Sequence, residues 1–303
     1  MLILRSEGLL ARVDPLHGAE ILDLVDLDSG RQLLGRLPFG SGDRASGPLD
    51  ELGWLEGWRG GWQICTPNPG TGCEVDGVRH GFHGTASHEP WEVLEADAAS
   101  ATMRWSGYGI EVVRKISAAG SELVLETEFR SVSEQPVPLA TLEHVSFGLE
   151  LLDPVLELEL PPAAAIEVSD VDGPVRAPAD APLWPEVLRL DGSSERGDRI
   201  ELRGEPRGRF YSVQDMPEGR ALARGQRAAL ELTWDHQVMP HAWVWTEIRT
   251  NGGPFRELAE IVAIEPCSVP HSLGLARAIE EDQAILLAPG ASRAYRFGAR
   301  IVR

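Results

Sequence analysis

The chain has 303 residues, enough for one large core or two modest ones. With 43% hydrophobic and 25% charged residues its composition is that of a soluble globular protein, which excludes disorder as the default. A net charge of −19 disfavours nucleic acid as a partner, because phosphates are repelled unless one face is locally basic.

The first residues, "MLILRSEGLLARVDP", lack the basic start and long apolar run of a signal peptide. They read instead as a strand over 2–13, followed by a second over 20–27. No stretch approaches eighteen uninterrupted apolar residues, so no membrane span is expected. Cys65, Cys73 and Cys267 are odd in number and without CxxC spacing, which fits reduced thiols in a cytoplasmic protein.

Next comes "GWLEGWRGGWQICTPNPG", residues 53–70, where Trp54, Trp58 and Trp62 recur every fourth position. That spacing suits a helix face, but Gly57, Gly60 and Gly61 argue against a helix there. Rings presented from a glycine-rich loop suit the C–H faces of a sugar; the alternative is that they plug the end of a core. The stretch "RHGFHGTASHEPW", residues 79–91, then brings His80, His83 and His88 close in sequence. Gly81 and Gly84 disfavour the helix that would align them, and on a strand positions 80 and 83 face opposite ways, so a metal site ranks below a single functional histidine.

Strands are expected over 92–97, 101–106 and 109–117. In "SELVLETEF" Leu123, Leu125, Thr127 and Phe129 alternate with Glu122, Val124, Glu126 and Glu128. The same period of two runs through "VLELEL" at 155–160 and "ALELTW" at 229–234, and a further strand is expected over 139–148. Residues 169–199 are rich in Pro, Asp, Gly and Ser and read as a surface excursion. Further strands follow over 242–248, 259–265 and 294–302, with one weak helix over 271–281.

Many short strands, one wet face each, punctuated by 32 glycines and 22 prolines, predict an all-β antiparallel sandwich with few short helices. Strands of similar character flank the excursion, so a single domain over 1–303 is expected.

Two more residues stand out. His144 sits inside the apolar run of "TLEHVSFG", where a core histidine bonded to backbone is the ordinary explanation and a proton donor lining a pocket the functional one. Glu265 ends the apolar run 261–264 just before Pro266. A carboxylate there is costly unless paired, and a histidine with a glutamate is the minimum for paired acid/base chemistry at neutral pH.

In order and spacing, these stretches resemble the aldose 1-epimerase (galactose mutarotase-like) family. The resemblance rests on "GG…PNPG" at 60–70, "HGF" at 80–82 with Trp91, "EHVSFG" at 143–148, "WVWTE" at 243–247, "IEP" at 264–266 and "LAPGASRAYRF" at 287–297. It implies an antiparallel β-super-sandwich with an open sugar cleft and an enzyme that interconverts α and β anomers of an aldohexose or modified hexose without metal or cofactor. Glu265 would be the base at the C1 hydroxyl, His144 the acid at the ring oxygen, and His80 a contact near that oxygen. Trp62 and Trp243 would line the cleft.

The family's arginine before the histidine loop and its sugar-binding aspartate have no counterpart in "TPNPGTGCEVDG" and "RGRFYS". Arg59, Arg79 and Arg209 are instead candidates for contacting an anionic sugar (a phosphate or sulfonate), or are surface arginines. A small-molecule sugar is the expected partner of a monomer or homodimer, with no nucleic acid and no membrane. Two alternatives remain: a non-catalytic sugar-binding protein on this fold, and an epimerase for anionic sugars.

Overall fold

In the strand Glu122–Ser131, the side chains of Leu123, Leu125, Thr127 and Phe129 are buried while Glu126 and Glu128 face water. One buried face and one wet face is what the alternating pattern requires. The computed structural model describes residues 1–38, 40–41, 46–152, 154–169, 171, 173–251 and 254–302.

Among the described residues two large sheets dominate. The nine-stranded sheet carries the most regular alternation and centres on Ser292–Val302, paired with Glu122–Ser131 on one side and Ala229–Trp234 on the other. The twelve-stranded sheet runs from Leu2–Arg5 through Trp62–Cys65, Leu142–Phe147, Glu260–Cys267, His241–Ile248 and Arg207–Gln214 to Ser194–Arg196. Its pairs are antiparallel except Ala164–Glu167 with Glu186–Leu188. The inner faces pack into one apolar core, where Trp62 meets Phe297 with ring centroids 4.9 Å apart.

That core also holds an ion pair. Arg114, from the nine-stranded sheet, donates to both oxygens of Glu143 from the other sheet, at 2.6 and 2.9 Å. Trp62 Nε1 donates to the same carboxylate at 2.6 Å, and the Tyr295 hydroxyl donates to it as well. A buried pair offsets its desolvation only when its lone pairs are filled in this way.

Three expectations change on inspection. The single strand over 2–13 is a hairpin of Leu2–Arg5 and Leu9–Asp14, because the chain turns at Ser6–Gly8 under Gly120, whose carbonyl accepts from Gly8 N and Ser6 Oγ. A helix does form at Glu51–Gly57 despite its glycines, started by Asp50, whose side chain accepts from Gly53 N at 2.8 Å. The strand over 259–265 does not stop at Pro266; it continues to Cys267. The excursion over 169–199 contributes the last two strands of the twelve-stranded sheet, Glu186–Leu188 and the edge strand Ser194–Arg196, and buries Trp184, while Asp170 and Asp172 lie outside the described residues. The weak helix appears as Gly274–Glu280. No helix among the described residues is long and apolar enough to cross a membrane.

Candidate functional site

Register places the reactive groups. Leu142 pairs with Cys267 and Val145 with Ile264, so counting inward from both pairs sets His144 opposite Glu265 on neighbouring antiparallel strands. The ladder is interrupted between these pairs, where Pro266 has no N–H to give. On the far side of His144 the register partner is Gln63, and on the far side of Glu265 it is Trp243. Gln63, His144, Glu265 and Trp243 therefore form one row across four strands. Cross-strand neighbours on one face are within side-chain reach, and His144 Nε2 lies 3.6 Å from Glu265 Oε1.

His144, Glu265 and Trp243 of this row line a cleft on the face away from the nine-stranded sheet, with Gln63 next to His144 in the row. Glu143 and His144 are sequence neighbours on a strand and so point to opposite faces, one into the ionic core, the other into the cleft. Trp54 and Trp58 cover His144, with centroids 6.1 and 5.1 Å from its ring. Trp245, Phe255, Phe210, Phe82 and Ser272 also line the cleft, and Trp245 packs against Trp58 with ring centroids 5.9 Å apart. Glu51, exposed at the start of the short helix, stands at the mouth.

His144 Nδ1 is 3.1 Å from Ser146 Oγ, two residues along the same strand face. Burial pushes the His144 pKa down to about 4, so its imidazole is neutral near pH 7 in the free protein. His83 also enters the cleft, its ring centroid 5.6 Å from that of His144. Its Nδ1 accepts from Gly70 N at 3.2 Å, which leaves the proton on Nε2. Burial, and secondarily His144, hold its pKa well below the usual histidine value.

The three loop histidines part company. His83 faces the cleft, whereas the His80 ring stacks on Tyr108 at 4.4 Å, outside the cleft lining. His88 Nε2 lies 3.0 Å from the Gly47 carbonyl oxygen. They do not converge on one point, and no cluster of three or more metal-binding side chains occurs among the described residues.

Of the residues singled out from sequence, His144, Glu265 and Trp243 come together in the cleft, along with Trp54 and Trp58. Trp62 does not; it is on the same strand as Gln63 but the opposite face, inside the core. Arg59 is held by Asp14 and Glu20. Arg79 is exposed on the hairpin strand Val78–His80, and Arg209 pairs with Glu195 at 2.9 Å. Sequence reasoning weighed His83 but chose His80 over it, and it passed over Trp245, Phe210, Phe255 and Ser272. For Trp245 and Phe210 a signal existed, since each lies two residues from a row member or its neighbour. For Phe255 and Ser272, in loops, there was none.

No protein-family model matches the chain, and no curated protein matches it by sequence. Solved structures do match. The Slr1438 protein from Synechocystis sp. PCC 6803 superposes with a TM-score of 0.73 at 16% identity, over 99% of this chain and 94% of that one. The galactose mutarotase related enzyme from Lactobacillus acidophilus gives 0.68 at 13% identity, over 100% and 97% of the two chains. A galactose mutarotase-like protein from Lactobacillus casei ATCC 334 gives 0.66 at 14%, with both chains covered in full at 100%. At such identities the likeness concerns architecture alone, and the chain has the galactose mutarotase-like fold.

Proposed function

We propose that the protein is an aldose 1-epimerase acting on a free aldose in the aromatic cleft. The observation that carries this reading is the His144–Glu265 pair, side by side on the cleft floor at 3.6 Å. The distance is too long for a direct hydrogen bond and suits two groups that both reach a sugar placed over them. Opening a pyranose ring requires a proton to leave the C1 hydroxyl and another to arrive at the adjacent ring oxygen. Glu265 takes the first and His144 delivers the second; the ring opens to the aldehyde, C1 rotates about the C1–C2 bond, and closure on the other face reverses both transfers. Each group contributes on the order of 10²–10⁴ in rate.

This cycle needs one proton shared by the pair, placed on His144 when the ring opens. Burial favours neutral His144 in the free protein, which supports a second arrangement with the same proton count and the roles exchanged. NMR of the imidazole nitrogens in a sugar complex separates the two, since only the first has an imidazolium.

An anionic sugar is less well supported, because Arg59 and Arg209 are engaged by carboxylates away from the cleft and Arg79 lies on an exposed hairpin. The experiment is one-dimensional exchange NMR on freshly dissolved α-glucose and α-galactose with catalytic amounts of protein. Accelerated anomer exchange that disappears in Glu265→Gln supports the enzyme. Sugar binding with no acceleration moves the reading to a carbohydrate-binding protein.

A further inference from the structure

Glu20 is a fully buried carboxylate at the start of the strand Glu20–Asp26. Ile21 pairs with Trp62, which sets Glu20 beside Gln63, the register partner of His144. A buried charge is costly unless it is paired. Arg59, also held by Asp14 at 2.8 Å, donates to one Glu20 oxygen, and His17 Nδ1 lies 3.4 Å from that oxygen. The other oxygen accepts from the Gln63 amide nitrogen at 3.2 Å.

Paired with a guanidinium, Glu20 is an acceptor only, and this decides how the Gln63 amide lies. The amide nitrogen faces Glu20 and the Gly60 carbonyl oxygen, the latter at 2.7 Å. The amide oxygen is therefore turned to Trp58 Nε1, which donates to it at 3.0 Å. A flipped amide would set its oxygen against two acceptors and its NH2 against an N–H. One orientation survives.

The Trp58 indole is thereby fixed against His144. The two rings lie 5.1 Å apart at 79°, edge to face, and Trp58 also packs on Trp54 and Trp245 at 5.4 and 5.9 Å. Under these rings His144 is only 4% exposed, and that burial lowers its pKa to about 4.

We infer that Glu20 is a positioning residue for the His144–Glu265 pair, acting through the Gln63 amide to hold the Trp58 indole against the His144 imidazole. The inference rests on the reading of that pair as the reacting groups. Glu20 does not line the cleft; it acts from behind Gln63.

The test uses Glu20→Gln, Gln63→Met and Trp58→Phe, with Asp14→Asn as a control that disturbs Arg59 and spares Gln63. NMR of labelled histidine follows the His144 titration, and exchange NMR gives kcat and KM for anomer exchange. In Glu20→Gln and Gln63→Met the His144 pKa should rise from about 4 towards 6.5 as water reaches the ring. Glu265 and His83, the titratable groups beside it, are unchanged in both. The kcat should fall about tenfold or more with KM little altered, as expected for a misplaced group. Trp58→Phe, which lacks the N–H, should match them, and adding Glu20→Gln to it should change nothing further. Asp14→Asn should titrate as the parent does. Gln63→Met leaves the Arg59 pairs intact, so the test stands even where Glu20→Gln does not fold.

An unmoved His144 titration or kcat in either folded variant overturns the inference. The same shift in Asp14→Asn, or additive effects of Glu20→Gln and Trp58→Phe, overturns it too. A shifted titration in a protein that never accelerates anomer exchange keeps the positioning of His144 and overturns the epimerase.

Discussion

His144 and Glu265 face each other across neighbouring antiparallel strands, Nε2 to Oε1 3.6 Å, although 121 positions separate them in the chain. Neither side chain needs a loop to hold it in place. Both stand on central strands of a twelve-stranded sheet, where the hydrogen-bond ladder on either side sets their height and direction.

Replacing Glu265 with Gln keeps the side chain's size and removes its charge. We expect anomer exchange to fall by at least about 10² with thermal stability near that of the parent, since the cleft floor is already polar. His144→Gln should match it, and the double variant should lose little more than either single one, because the two act as a unit. Exchange NMR on the three variants checks this, and full turnover in either single variant sinks the assignment.

Acid should destabilise the fold earlier than carboxylate titration alone implies. Burial lowers the pKa of His144, His241 and His271 from 6.5 to about 4. Between those values the unfolded chain binds more protons than the folded one, so stability is lost as the pH falls from about 6.5 towards 4. Each such histidine contributes at most about 1.4 kcal/mol per pH unit inside that window. Urea unfolding at pH 7, 6 and 5 should show a falling midpoint, and His241→Gln should flatten the dependence. A constant midpoint over that range contradicts the buried neutral imidazoles.

The Arg114–Glu143 pair lies between the sheets with both side chains essentially unexposed. Arg114→Met strands a buried carboxylate and should cost about 3–5 kcal/mol. Adding Glu143→Leu should recover part of this and not all, because Trp62 and Tyr295 lose their acceptor. A double-mutant cycle by urea unfolding measures the coupling, and additive single effects argue against the network.

Gly84 precedes the short turn Thr85–Ser87 with φ +67°, and a Cβ there would stand 2.3 Å from the Thr66 carbonyl oxygen. Gly84→Ala should therefore displace the adjacent His83 from the cleft. Sugar affinity should fall, together with a loss of stability of at least about 1 kcal/mol. Unchanged affinity in a folded Gly84→Ala protein means His83 does not contact the sugar.

The β class of the fold was legible because period-two alternation is a local property. Leu123, Leu125 and Phe129 announce a buried face whatever lies against it. The helix at Glu51–Gly57 was missed because its glycines lower intrinsic propensity, while the Asp50 cap and the burial of Trp54 and Leu55 outweigh that deficit. His144 and Glu265 were visible as ionisable residues inside apolar runs. The choice among His80, His83 and His88 was not, since it depends on loop backbone geometry, including the positive φ of 56° at His83.

By itself, then, the chain's alternation of apolar and acidic residues determined a two-faced antiparallel sheet protein, and its buried charges marked where chemistry could sit. Which face each ring took was decided only by tertiary structure. Trp62 and Gln63 differ by one position, yet one joins the core and the other the row beneath the cleft. Successive residues on a strand point to opposite sides, and only the packing of the second sheet says which side is inside.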